Sequence, residues 1–278
     1  MRSEVFFTDM RTDIGDTVPD KFRRLIEQAG IGEIDYDKKF VAIKLHFGEL
    51  GNLAHLRPAY SRVIAEGVNE RGGIPFLTDC NTLYVGRRKN APEHLDTAMY
   101  NGFNRMAAGC PIIIGDGLKG TDDVEIPIDG TYVKNAKIGR AIYDADILIN
   151  LSHFKCHELT GYGGAIKNLS MGCASRRGKM EMHSAGKPVV DQEECVGCAA
   201  CLKHCAQSAI KFSKQKRKAT IQQALCVGCG RCIGSCVYDA ISVENDEDAS
   251  ILNAKMVEYA MAAVKGKPNF HVTVMTAI

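Results

Sequence analysis

Apolar positions along the chain recur with two alternating periods, and each switch of period marks an element boundary. Phe22, Leu25, Ile26 and Ala29 fall at helical spacing behind Thr17-x-x-Asp20, a pattern close to a capping box, and Gly30 ends the run. Over residues 40–46 the period becomes two: Val41, Ile43 and Leu45 face one way, Lys44 and His46 the other, which predicts a strand. A second helix comes next, with Pro58 early, Tyr60, Val63, Ile64, Gly67 and Val68 on one stripe, and Gly72-Gly73 as its stop. Residues 74–79 and 111–114 read as short strands, the latter closed by Gly115-Asp116-Gly117. Asn135 is expected to cap a helix through Ile138 and Ile142, and residues 146–151 to form a further strand. Past position 236, Ile251, Leu252, Met256, Ala260, Met261 and Val264 suit one helix, ended by Gly266 and Pro268, and residues 271–275 a last strand. Strands alternating with helices predict an α/β fold, a mostly parallel sheet with flanking helices. A chain that stops inside a core-like strand implies a fragment, or a sheet completed by other polypeptide.

Cysteine interrupts this pattern. Eight of the twelve cysteines lie between positions 195 and 236, as Cys195-x-x-Cys198-x-x-Cys201-x-x-x-Cys205 and, 31 residues later, Cys226-x-x-Cys229-x-x-Cys232-x-x-x-Cys236. The flanks repeat as well: Ala209-Ile210 matches Ala240-Ile241, and Gly197 matches Gly228, so one unit has been duplicated. Three cysteines at i, i+3 and i+6 wrap one iron–sulfide cube, and the fourth reaches the other cube. The expectation is two [4Fe–4S] clusters of bacterial ferredoxin type, one on Cys195, Cys198, Cys201 and Cys236, the other on Cys226, Cys229, Cys232 and Cys205. Zinc fits less well, because structural zinc sites use four ligands as two separated pairs. The usual proline after the fourth cysteine is replaced by Ala206 and Val237. The cysteine segment then reads as a two-cluster ferredoxin-like insert, residues 189–245, between a first part of the α/β domain, 1–188, and its return helix and strand, 246–278. Between the two runs, residues 211–218, bounded by Lys211 and Lys218, hold five basic residues in eight: a solvated hairpin tip, or a docking patch for an acidic redox partner.

Composition narrows the rest. A net charge of +2 argues against general nucleic-acid binding, and no apolar run reaches the ~18 residues of a membrane span. Met1-Arg2-Ser3-Glu4 shows no signal-peptide pattern, which points to the cytoplasm, where cysteines hold metal rather than disulfides.

Parallel sheets bind ligands beyond the carboxyl ends of their strands. The residues just past each predicted strand are polar: His46, Glu49, His55 and Arg57; Asp79, Asn81, Thr82 and Tyr84; Asp116; and Ser152, His153, Lys155, His157 and Glu158, then Gly161, Gly163, Gly164, Lys167 and Asn168, then Gly172 to Lys179 and His183. Singly these are weak. His46 also reads as a satisfied strand-end histidine. His153 and His157 read as loop residues or as a metal pair. Residues 161–168 are neither a P-loop nor G-x-G-x-x-G, and read as a tight turn or a backbone anion cradle opening a helix. Arg176, Arg177 and Lys179 read as a solvated face, and Cys80, Cys110, Cys156 and Cys173 as small core residues. Convergence of four strand ends on one rim makes a ligand site the better reading. Within it Lys155, Lys167 and His157 are candidate catalytic groups. His46, Asp79, Asn81, His153, Gly163, Gly164 and Asn168 are candidate ligand-binding groups.

Lys44-Leu-His46-Phe-Gly-Glu49, Asp79-Cys-Asn81-Thr82, His153-Phe-Lys155-Cys-His157 and Gly163-Gly-Ala-Ile-Lys167-Asn168-Leu, with both cysteine runs, resemble the uncharacterised Fe–S centre proteins (domain of unknown function 362) over nearly the whole chain. The resemblance implies an α/β fold with a cluster insert and members that commonly continue past this chain's last residue. It supplies no reaction. Three functions stay open: an oxidoreductase sending low-potential electrons to a small anionic ligand, a metal or an additional organic cofactor on the rim; a non-enzymatic electron carrier; and a cluster- or metal-delivery protein.

Overall fold

The computed structural model describes residues 4–276, apart from 84–85, 158–159, 184–186, 214, 216, 227, 229 and 244–248. In chain order the first elements are α1 (Val18–Gln28), β1 (Phe40–Lys44), α2 (Pro58–Glu70), β2 (Ile74–Asp79), α3 (Ala91–Tyr100), α4 (Arg105–Ala108) and β3 (Ile112–Ile114). A hairpin of β4 (Asp123–Pro127) and β5 (Asn135–Gly139) leads to α5 (Arg140–Asp144) and β6 (Ile147–His153). A second hairpin, β7 (Lys155–His157) and β8 (Gly161–Gly163), precedes α6 (Ala165–Ser170) and α7 (Arg176–His183). The cysteine segment carries β9 (Pro188–Val190), α8 (Ala200–Lys203), β10 (Ile210–Ser213), β11 (Lys218–Ile221) and β12 (Ile241–Val243). The chain returns through α9 (Ala249–Val264) to β13 (Asn269–Val274).

Five strands form the central sheet in the order β13-β6-β1-β2-β3, and every neighbouring pair is parallel. Burial on both faces explains the parallel arrangement. Val41, Ile43 and Leu45 of β1 and its extension pack with Phe22, Ile26, Val63, Ile64 and Val68 of α1 and α2. Ala42 points the other way, into a second core with Leu169, Met182, Leu252, Met256 and Tyr259 of α6, α7 and α9. The expected cap of α1 is present: Thr17 accepts from the Asp20 N–H while Asp20 accepts from the Thr17 N–H. Strand order reverses between β1 and β6, because β2 and β3 build outward on one side and β13 on the other. That is the topological switch point, where a crevice opens at the carboxyl ends of the strands.

Asn135 starts strand β5, not a helix. Ile138 and Ile142 are four apart and mimic a helical stripe. The effective pattern is alternation, with Ala136 and Ile138 buried in the second core and Lys137 turned away, and pairing to β4 decides it. His153 ends β6 and His157 ends β7, so neither sits on a loop. The two small sheets of the cysteine segment follow the duplication. β12, after the second cysteine run, pairs with β9, before the first; β10, after the first run, pairs with β11, before the second.

Candidate functional site

Register brings the polar rim together. Lys44 ends β1 opposite Thr78 of β2 and Asn150 of β6, with Asp79 one residue further on. Lys44 is fully buried, and its Nζ lies 3.1 Å from Asp79 Oδ1 and donates to Asn168 Oδ1 at 2.7 Å and to Leu45 O at 3.1 Å. Asn168, on α6, returns its amide to Lys44 O and Asn150 Oδ1. A side chain cannot fit above this network: a Cβ on Gly172 would sit 2.3 Å from Lys44 Nζ and 2.2 Å from Asn168 O.

Arg88, also buried, bridges Asp79 Oδ2 (3.1 Å) and Glu49. Burial alone would raise the Asp79 pKa, but Lys44, His94 and Arg88 outweigh it and hold the carboxyl well below its ordinary value. His46 accepts the Gly48 N–H on Nδ1 and has its Nε2 3.0 Å from Arg88 Nη2. Desolvation first, then Arg88, push its pKa well below the usual histidine value, so His46 is neutral. Lys155 is lowered too, by desolvation and then by Arg88.

These groups line one cavity of about 630 Å³. Of the expected rim residues, His46, His55, Asp79, Thr82, His153, Lys155, His157, Gly163, Gly164, Lys167, Asn168, Gly172, Lys179 and His183 line it, and Lys44 and Arg88 join them. Five of the chain's eight histidines (46, 55, 153, 157 and 183) are there. So are five cations, Lys44, Arg88, Lys155, Lys167 and Lys179, against the carboxylate of Asp79 among the described residues. Phe154 stacks on Tyr162 at 5.4 Å between ring centroids, which braces the β7–β8 hairpin carrying Lys155 and His157.

Three expectations fail here. Asn81 does not line the cavity: its Nδ2 donates to Asp116 Oδ1 (2.8 Å) and Gly117 O (2.9 Å) instead. The partner Asp116 is fully buried, and desolvation lifts its pKa to about 6. Arg176, Arg177 and Lys179 are not a solvated face. Arg176 is buried and donates to Thr82 O, Lys119 O, Gly230 O and Lys89 O. Arg177 pairs with Asp123, and buried Lys179 donates to Ala174 O. Cys80, Cys110 and Cys173 are buried, whereas Cys156 is exposed. Tyr84 and Glu158 lie outside the described residues. Arg88 was missed because it lies nine residues past the end of β2, beyond the strand-end positions, and reaches Asp79 from the loop before α3.

The cysteines sort across the repeat. Cys195, Cys198, Cys201 and Cys236 line one small cavity, and Cys205, Cys226 and Cys232 another; Cys229 lies outside the described residues. Left-handed glycines turn the loops inward. At Gly197 (φ +74°) a Cβ would meet Arg217 O at 1.9 Å. Ala209 N–H donates to Cys205 Sγ. Among the described residues no group of three or more His, Cys, Asp or Glu is set to hold a single metal ion. The cysteine segment and the rim cavity share a wall. Leu83 lines the cavity and belongs to the same buried cluster as Cys195, Cys201, Cys232 and Cys236, and Ser242 and Val243 of β12 line the cavity as well. Among the described residues no helix is long and apolar enough to cross a membrane.

No curated protein matches the chain. A protein from Thermotoga maritima is 13% identical at a TM-score of 0.48, over 92% of this chain and 50% of that one. The lactate racemase apoprotein from Thermoanaerobacterium thermosaccharolyticum is 13% identical at 0.44, over 86% and 42%. An adenosine 5'-phosphosulfate reductase in complex with substrate is 30% identical at 0.20, over 20% and 42%. The chain thus spans half or less of the length of these solved structures. A family profile matches residues 41–278, and the chain belongs to that family, Domain of unknown function (DUF362).

Proposed function

We propose that this chain is an iron–sulfur redox protein that passes low-potential electrons to a small anionic ligand in the rim cavity. Residues 189–245 are the two-cluster ferredoxin-like insert. Cys195, Cys198, Cys201 and Cys236 would hold one [4Fe–4S] cluster, and Cys205, Cys226, Cys229 and Cys232 the other. The donor set fits: thiols gathered from both runs around two separate cavities. Each thiolate of a cube binds a different iron, so four ligands need not converge on one point. When bound, the clusters supply single electrons.

The observation that carries the reading is the shared wall, Leu83 and β12, between the cysteines and a cavity whose described lining holds five cations and the carboxylate of Asp79. The anion is assigned to Lys155 and Lys167, which line the cavity from β7 and from α6. Neutral His46 orients rather than donates charge, and His157, on β7 with Lys155, is the group to hold or give a proton. A carrier with no substrate needs no such cavity, so the enzyme reading leads. Anaerobically purified protein should hold about eight iron and eight sulfide per chain; iron near zero with stoichiometric zinc refutes the clusters. Lys155→Ala with Lys167→Ala should abolish binding of sulfate, followed by calorimetry, and leave iron content unchanged. Unchanged sulfate binding would put the carrier ahead.

A further inference from the structure

A second cavity, about 410 Å³, shares no lining residue with the rim cavity. It lies where the loop at residues 117–122 meets the cysteine segment, and Lys119, Lys203, His204 and Arg231 surround Cys205 there. Lys203 and Arg231 are exposed and Cys205 is partly exposed. Among the described lining residues the carboxylate is Asp122, shared with Arg140 3.8 Å away. Lys119 Nζ donates to His204 Nδ1 at 3.0 Å, which joins the two walls through side chains. The backbone joins them as well. Buried Arg176 donates to Lys119 O at 2.8 Å and to Gly230 O at 3.3 Å, so one guanidinium fixes both the loop and the residue before Arg231. The result is a preset basic surface around a thiol of the second cysteine set.

We infer that this surface is the electron-entry site and docks an acidic electron-transfer protein of the flavodoxin type. The inference rests on the cluster reading above. A small anion calls for donors that converge on one point. Here Lys119, Lys203 and Arg231 come from three separate stretches of chain around an open rim, which suits a broad acidic face and long-range steering. Each encounter would move one electron, oxidising the reduced partner by one and reducing by one the cluster that Cys205, Cys226, Cys229 and Cys232 would hold. The basic hairpin at residues 211–218 lines no part of this cavity, so docking is assigned here and not there.

The test uses the full iron-loaded chain and an acidic flavodoxin. Lys119→Glu, Lys203→Glu and Arg231→Glu together should slow reduction by reduced flavodoxin at low salt by 10-fold or more, and raising the salt should shrink the difference. Reduction by the methyl viologen radical, a cation, should not slow. Lys203→Ala with Arg231→Ala, which leaves the Lys119–His204 contact intact, should give a smaller loss in the same direction. Charge reversal at Lys211 and Lys218 should leave the flavodoxin rate within twofold. The proposal is overturned if the triple variant stays within twofold of wild type, if the Lys211 and Lys218 reversal carries the loss, or if inorganic phosphate binds the cavity one-to-one and competes with flavodoxin. A chain without iron overturns the cluster reading instead, and calorimetry with oxidised flavodoxin then decides the surface alone.

Discussion

Asp79→Asn isolates the electrostatic keystone of the rim. The substitution keeps shape and removes the charge that faces Lys44 at 3.1 Å and Arg88 at 3.1 Å, both buried. Removing one partner of a buried ion pair costs about 3–5 kcal/mol. The lower end applies, because Lys44 keeps Asn168 Oδ1 at 2.7 Å and Arg88 keeps Glu49. At roughly 2–4 °C per kcal/mol for a chain of this size, a cost of about 3 kcal/mol lowers Tm by about 6–12 °C. Differential scanning calorimetry at pH 7.5, with both proteins in the same iron-loaded state, reads it directly. The pH dependence has a fixed sign. The folded pKa of Asp79 is depressed, so its contribution is present above the unfolded carboxylate value and lost only as pH falls through the folded one. The gap between wild type and variant should hold from pH 8 to about 5 and close only below about 4. Because Asp79 lines the cavity, its neutralisation should also tighten sulfate binding. A Tm change under about 2 °C, or a gap that closes between pH 7 and 5, would show that Asp79 does not hold these cations.

Three further outcomes are expected. Asp116 is raised to about 6, so the folded state holds an extra proton between about pH 4 and 6 and loses on the order of 3 kcal/mol as pH rises through that window. Asp116→Asn should remove that slope from a Tm–pH profile while still accepting from Asn81. Gly172→Ala drives a Cβ into Lys44 Nζ and Asn168 O, and should lower Tm by more than about 4 °C, roughly the effect of 1–3 kcal/mol of overpacking. Cys205→Ala should alter the spectroscopic signature belonging to Cys226, Cys229 and Cys232 and spare that of its sequence neighbours; loss of the near centre alone would mean the runs do not exchange ligands.

Much of the frame was legible because periodicity and punctuation agree. Thr17 and Asp20 cap α1, Gly72-Gly73 ends α2, and β2 runs Ile74–Asp79 as the pattern of apolar residues indicates. The rim was legible for a different reason: in a parallel sheet every strand delivers its C-terminal residues to one edge, so adjacency in space follows from topology without any long-range signal. Failures came where a residue's partner is a backbone carbonyl or a distant turn. Asn81 sits at a strand end, yet Asp116 and Gly117 O claim its side chain. Arg176, Arg177 and Lys179 form a charge run indistinguishable from a solvated face until the carbonyls of Thr82, Lys119 and Lys89 are in place around Arg176. Ile138 and Ile142 carry helical spacing but belong to a strand and to the helix after it.

The buried cations Arg176 and Lys89 explain how the cysteine segment is held to the sheet. Lys89 is nearly buried and donates to Cys236 O while pairing with Asp239, at the end of the second cysteine run. Arg176 passes so close to Gly230 and Gly234 that a Cβ on either would fall 2.4 Å or less from it. Both cations also bind their own side of the junction, since Lys89 O accepts from Arg176. Burying two cations is costly unless every donor is used, and these donors go to carbonyls and a carboxylate on both sides of the junction. Lys89 and Arg88 are adjacent, one turned to the cysteines and the other to Asp79, so residues 88–89 tie the wall of the rim cavity to the cysteine loops. That arrangement is what a protein needs if events at the cysteines are to be felt by a ligand held on the rim.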